Sequence, residues 1–241
     1  MSDKKGRIPP VGYSQSDEEK HILDFFGGRV GRFLDIGAFD GRTFSNTHRL
    51  AEEGWSGVLV EPNPTSFIGM LKNYEDNPKV KPENMMFVNV AVAPTRGFAE
   101  FYMTEDAIST LDAKHRDKWH NRHGVLYRTG HVYVVTMSDL LSTFSGFYDF
   151  INIDVEGGNW ELASTMDFGA TGASLLCIEH DSKIEQMENY CAQWGFERVH
   201  VTDENIILGR PDPPTDEDGM VKEFLGVHDV HKNWVETQVF K

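Results

Sequence analysis

Cysteine is scarce in this chain, basic residues are outnumbered, and no apolar run reaches the length of a membrane span. Each shortage removes a class of protein. The two cysteines, Cys177 and Cys191, fall in an apolar strand pattern and in a helical one. They are too few for a disulfide framework, so both read as packing residues of a protein kept in a reducing, cytoplasmic setting. The opening residues Met1-Ser2-Asp3-Lys4-Lys5-Gly6-Arg7 lead into no stretch suited to a signal or spanning helix, and no membrane partner is expected. Against 38 aspartates and glutamates stand 23 lysines and arginines, a formal charge of −15. A chain this acidic repels polynucleotide phosphates and anionic lipid, so nucleic acid is not expected as a partner. At 241 residues and 39% hydrophobic content, one substantial core is within reach and no internal repeat is evident.

A complete dinucleotide fingerprint is also missing. Asp35-Ile36-Gly37-Ala38-Phe39-Asp40-Gly41 reads as a strand running into a glycine turn, and Glu61 ends a second strand twenty residues past Gly41. In α/β sheets this arrangement binds a nucleoside: glycine admits the ligand to the backbone, and the acid accepts hydrogen bonds from ribose hydroxyls. A bound pyrophosphate needs two further glycines, where Phe39 and Arg42 stand instead. The pattern therefore suits a cofactor with ribose and adenine but no phosphate, of which S-adenosylmethionine is the common case. An NAD-linked oxidoreductase on the same kind of sheet is the rival, and a non-catalytic module that keeps the cofactor pocket is a third reading.

Along the chain, Ser16 and Glu19 suggest a capping box before a helix that ends at Gly27-Gly28. Strands follow near 32–36, 58–61, 86–91, 98–103, 131–136, 150–154, 175–179, 196–201 and 205–208, the last two as an antiparallel hairpin at the sheet edge. Helices are expected at 43–53, from Asn63-Pro64 to Tyr74, after Gly158 and at 183–194. Strands alternating with helices predict a doubly wound, largely parallel sheet. Beyond Arg210 a proline-rich acidic linker precedes Phe224, Leu225, Trp234, Val235 and Phe240, which predict a docked tail over 211–241.

Several blocks in order resemble the FkbM-type methyltransferases: Ser14-Gln15 with Asp17-Glu18, Asp35-Ile36-Gly37-Ala38 with Asp40-Gly41, Ser45-Asn46-Thr47, Gly54-Trp55-Ser56-Gly57, Glu61-Pro62-Asn63-Pro64, Ile151-Asn152-Ile153-Asp154-Val155-Glu156-Gly157 and Ile178-Glu179-His180. The resemblance spans roughly residues 14 to 209, within an expected domain of residues 1–210. It implies a class I, Rossmann-like fold with a seven-stranded, mostly parallel sheet and helices on both faces. It also implies S-adenosyl-L-methionine as cofactor and O-methylation of a sugar or natural-product hydroxyl. Gly158-Asn159-Trp160 departs from the small residue and acid that often follow the Asp-Val-Glu-Gly block.

Ligands of open α/β sheets sit beyond the carboxyl ends of the strands, where Asp35, Glu61, Asn89, Asp154, Glu156, Glu179 and His180 all fall. Asp35, Gly37 and Ala38 are read as lining the methionine part of the cofactor, Glu61 as the ribose acceptor, and Asn89 with Ala91 as neighbours of adenine. The resemblance adds Asp40, Gly41, Asn63 and Ser109 to that set. Asp154 is read either as a partner of the cofactor's amino group or as a base. His180 is the leading base, oriented by Glu179 or Asp154, because imidazole titrates near neutrality. Alternatively, Asp154, Glu156, Glu179 and His180 could together hold a divalent cation that activates the acceptor. Each acid, taken singly, could equally cap a helix.

Residues 104–130 carry Lys114, His115, Arg116, Lys118, Trp119, His120, Arg122, His123, Tyr127 and Arg128, a basic, aromatic island in an acidic chain. The histidine spacing fits no common ligand pattern, and a solvated helix face is the plainer reading. A lid that reads a small, anionic sugar acceptor is the functional one.

Overall fold

The computed structural model describes residues 12–210. In chain order these form α1 (Glu18–Phe26), β1 (Arg32–Ile36), α2 (His48–Glu52), β2 (Ser56–Val60), α3 (Pro64–Glu75), β3 (Met85–Val88), β4 (Ala91–Val92), β5 (Gly97–Met103) and α4 (Ala113–His123). Then come β6 (Arg128–Val135), α5 (Met137–Thr143), β7 (Phe150–Ile153), α6 (Asn159–Ala163), α7 (Phe168–Thr171), β8 (Leu175–Glu179), α8 (Ile184–Cys191), β9 (Glu197–Val201) and β10 (Asn205–Gly209). The tail expectation lies outside the described residues.

A seven-stranded sheet runs in the order β3-β2-β1-β7-β8-β10-β9. All pairs are parallel except those of β10, which is antiparallel to both neighbours. The closing hairpin forms as expected, but its last strand inserts between β8 and β9 and leaves β9 at the edge. Alternation along the central strands feeds two cores. Leu34, Ile36, Ile151, Ile153, Leu176 and Ile178 face α5 to α8, burying Met137, Leu162, Phe168 and Met187. Phe33, Leu59, Phe150, Leu175 and Ile207 face α1 to α3, burying Ile22, Phe26, Leu50, Met70 and Tyr74.

Three local expectations are corrected. The N-cap of α1 is Asp17, the backbone N–H of Ser16 goes to Glu18, and Glu19 turns to accept from the Tyr13 N–H. The helix expected from residue 43 starts only at His48, because Phe44 takes a left-handed φ of 59° and bridges Ser14 of the N-terminal arm. The strand expected over 86–91 breaks: β3 ends at Val88, and Ala91 and Val92 cross into a second sheet of order β4-β6-β5. The basic segment does contain a helix, as its plainer reading had it: Asp112 caps α4 through the Lys114 N–H and Gly124 closes it in a left-handed conformation.

Candidate active site and cofactor crevice

The strand order reverses direction between β1 and β7, and the chain ends leaving these two strands diverge into a crevice. Gly37, at φ 88°, sits where they separate. Its N–H and that of Ala38 both donate to the Val60 carbonyl, and the Asp154 N–H donates to the Ile36 carbonyl. A Cβ at Gly37 would overlap the Asp154 carbonyl oxygen, so no other residue fits this crossing. Gly41 serves packing: at φ 67° it lies against Tyr74 and Met70. The Asp40 carboxylate is taken up by the N–H groups of Arg42 and Thr43 and the Thr43 hydroxyl, shaping the turn rather than facing the crevice.

Glu61 is buried and accepts from two backbone donors, Phe39 N–H at 2.9 Å and Asn63 N–H at 2.6 Å. Burial outweighs those bonds and pushes its carboxyl up to about 8. Asn63 caps α3 through the Thr65 N–H, and its amide donates to the Thr104 carbonyl and the Ser109 hydroxyl, tying the 104–109 loop to β2. Asn89 is exposed and donates to the carbonyls of Glu61 and Pro62, so it braces the loop that follows β2.

A polar row crosses the sheet on the α1 to α3 face. Asp35, Asn152 and Cys177 are register neighbours on β1, β7 and β8. Asn152 and Thr47 donate to Asp35 at 2.9 and 2.6 Å, and Asn46 donates to Asn152 at 2.9 Å and to the Cys177 sulfur at 3.5 Å. Ser14 of the arm completes the chain by donating to Asn46. Burial raises the Asp35 carboxyl. Cys177 and Cys191 are both free and buried, as their apolar settings lead one to expect.

Asp154 and Glu179 lie carboxyl to carboxyl and share a hydrogen bond. Burial first, then neighbouring acids, push both upward, Asp154 by Glu156 and Glu179 by Asp154. Two buried acids this close hold one proton between them. The Asp154 Oδ1 is sealed from solvent without a hydrogen-bond partner. Asn159, from the departing Gly-Asn-Trp block, is fully buried: its oxygen accepts from the Val155 N–H, and its amide donates to Glu179 and Asp181. It therefore fixes the acids in place of a further charge.

Glu156 adopts a left-handed φ of 56° and its carbonyl accepts from the Thr110 hydroxyl. Its carboxylate lies 3.0 Å from Nε2 of His115, a buried residue on α4, without alignment for a hydrogen bond. Burial lowers the His115 imidazole and raises the Glu156 carboxyl, so a neutral ring faces a carboxylic acid near pH 7. Reading α4 as a solvated face missed His115; a buried histidine on a helix of basic residues leaves no periodic signal to find it by.

His180 is placed differently from the acids. It is buried, its Nδ1 accepts from the Ser182 N–H at 3.0 Å, and it lines none of the crevice's lobes. No three of Asp154, Glu156, Glu179 and His180 bring ligand atoms within 4.8 Å of one another.

The crevice has three lobes. One, about 460 Å³, is walled by Val90, Ala91, Val92 and Phe101 and carries Glu61 and Ser109. The second, about 460 Å³, is polar, with Gln15, Asp35, Asn46 and Asn152. Gly37, Phe39, Asp154 and Glu156 are common to both. The third, about 480 Å³, opens beyond Glu156 between Pro94, Asp112 and Glu161. An apolar slot carrying one buried carboxyl is thus joined to a polar, acid-lined one.

The sheet order, its single reversed strand and the acid at the tip of β2 define a class I methyltransferase fold. The sequence matches the Methyltransferase FkbM domain over residues 35–196, and the chain belongs to that family of S-adenosylmethionine-dependent methyltransferases. Comparison with curated protein sequences gives no match. Among solved structures, the methyltransferase FkbM from Methylobacillus flagellatus KT is 13% identical, with TM-score 0.49, covering 75% of this chain and 44% of that one. The N-terminal domain of human METTL16 in complex with SAH is 13% identical, with TM-score 0.46 and coverages of 86% and 73%. A precorrin-6y C5,15-methyltransferase from Geobacter metallireducens GS-15 is 10% identical, with TM-score 0.43 and coverages of 87% and 98%. This chain thus spans under half the length of the Methylobacillus protein, and likenesses this distant say nothing about its substrate.

Proposed function

We propose that the chain transfers a methyl group from S-adenosylmethionine to a hydroxyl of a small glycan, a nucleotide sugar or a related metabolite. The observation that carries the choice of cofactor is the distance from the glycine turn to the next helix. A dinucleotide site sets its pyrophosphate on a helix N-terminus directly after the turn. Here α2 begins at His48, eleven residues past Gly37, and the Phe39 side chain lines the space between. Calorimetry should show S-adenosylmethionine or its demethylated product binding at least tenfold more tightly than NAD. The reverse order would sink the methyltransferase reading.

When bound, the cofactor supplies an electrophilic methyl on a sulfonium; the chain's own work is to hold, orient and take up a proton. Glu61 holds the ribose, Val90 and Ala91 wall the adenine, and the Asp154 carboxyl, common to both lobes, takes the methionine ammonium. Glu156 stands where the two cofactor lobes meet the third, which suits an acceptor hydroxyl, and His115 behind it is a neutral base. This pairing supports proton removal better than His180, whose Nδ1 lone pair is already engaged by Ser182. The third lobe is lined by Asp112, Glu156 and Glu161 and by no cation, so it suits a hydroxyl-rich group. An anionic part of the acceptor would meet the exposed Lys114, Lys118 and Arg122 of α4 instead. Arg116 is committed to Asp117 and stacks 4.2 Å over Tyr102. The overall negative charge favours a small acceptor over nucleic acid, and no helix among the described residues is long and apolar enough to cross a membrane.

Glu61→Gln tests the ribose assignment. The amide would set its NH₂ against the Phe39 or Asn63 N–H and remove a charge-assisted bond of ~1.5 to 3 kcal/mol. Cofactor affinity is expected to fall roughly ten- to a hundredfold while circular dichroism is unchanged. Unchanged affinity would place the ribose elsewhere.

A further inference from the structure

Away from the crevice, at the seam between α1 and the edge strand β9, Asp17, His21 and His200 bring one ligand atom each within 4.8 Å of one another. Asp17 Oδ1 lies 3.0 Å from His200 Nε2, and Asp17 Oδ2 lies 3.5 Å from His21 Nε2. The two imidazoles stack with centroids 3.8 Å apart and planes 19° from parallel, so their Nε2 atoms face the same carboxylate. Asp17 and His21 are four apart on α1, the spacing that puts two side chains on one helix face. Asp17 also occupies the N-cap position, yet its side chain makes no capping hydrogen bond. Its carboxylate is instead aimed into the seam, where Oδ1 shares a hydrogen bond with His200 Nε2.

The seam is fixed on both sides of the trio. Glu18 is fully buried and accepts from the Thr202 hydroxyl and the Asn205 amide, which hold α1 against β9 and β10. The three ligands therefore come from two elements already locked together. Two imidazoles and one carboxylate, partly open to solvent, match the donor set of a four-coordinate zinc with one open position. Alkaline-earth ions prefer oxygen donors and are disfavoured here.

We propose that Asp17, His21 and His200 form a binding site for a divalent transition metal, with zinc as the best fit, that pins the N-terminal arm to the edge of the sheet. The same arm carries Ser14 and Gln15, the residues that complete the polar row and line the methionine lobe. The site is a clamp for that arm, separate from the residues that handle the methyl group.

The full chain, stripped with a chelator and dialysed, is titrated with Co²⁺ and separately with Zn²⁺. One equivalent of Co²⁺ is expected to give the intense visible bands of four-coordinate nitrogen and oxygen ligation, and Zn²⁺ is expected to raise Tm. His21→Gln and His200→Gln, which keep a polar side chain of similar size, should each weaken Zn²⁺ at least tenfold, whereas His120→Gln should not. X-ray absorption on the zinc-loaded protein should count two imidazole ligands, a readout that needs no variant to fold. Absence of stoichiometric binding, or binding retained in both seam variants, overturns the proposal.

Discussion

Asp154→Asn is expected to make the cofactor-free protein more stable to heat while lowering turnover ~100-fold or more. The two effects share one cause. Asp154 sits among Glu179, Glu156 and Asp181, its carboxyl is raised by burial and by those neighbours, and one of its oxygens is sealed without a partner. In the empty crevice the carboxyl is crowded by three further acids, and a neutral amide of the same shape can still bond Glu179. Relief of about 1–3 kcal/mol is the scale for one such buried polar group. With cofactor present the sign reverses, because the amide offers no charge to an ammonium and no strong acceptor near the reacting centre. Differential scanning calorimetry and steady-state kinetics on one preparation read both. A variant that loses stability in the empty state would show that Asp154 is structural and would sink the shared-proton reading. Functional strain of this kind, stored where the chemistry needs it, is the ordinary trade between stability and activity.

What was legible in the sequence is what depends on short spacing. Asp35, Gly37 and Glu61 announce themselves because a strand, a turn and a strand-end acid are local patterns, and the resemblance placed Asp154 and Glu156 correctly at the end of β7. The divergences come from contacts distant in sequence. Thr43 to Thr47 look helical, but the arm around Ser14 reaches them and the polar side chains turn to Asp35 and Asn152. Met86 to Ala91 reads as one strand, yet Asn89 breaks it to hold the Glu61 loop. His180 stood out as a base because it ends a strand beside Glu179, and the fold adds the Ser182 N–H on its Nδ1, which the strand pattern does not show. His115 was hidden for the opposite reason: its neighbours in sequence are solvated, and only the fold of α4 onto the Glu156 loop buries it. Asn159 filled the place of an expected acid, and its value appears only once the carboxylates it bridges are seen together.

Affinity for S-adenosylmethionine is expected to rise about tenfold per pH unit below about 8 and to level off above it, with its demethylated product following less steeply. Burial, reinforced by mutual repulsion, pushes Glu61, Asp154 and Glu156 up to about 8. For a carboxyl whose folded value is raised above the unfolded one, stability is fully present below the ordinary carboxylate range and is lost as pH rises through the raised value. The cofactor-free protein should therefore lose stability between about pH 4 and 8. A bound cation acts the other way, drawing the acids into their ionised form and releasing a proton, and one proton released gives one decade of affinity per pH unit. The sulfonium charge is permanent and absent from the product, whereas the ammonium is common to both, so the ratio of the two affinities isolates the sulfonium's share. Calorimetry from pH 6 to 9 in buffers of different ionisation enthalpy measures both the affinities and the proton release. A ratio that stays flat across that range would mean that the buried acids hold the methionine end alone and do not face the transferable methyl.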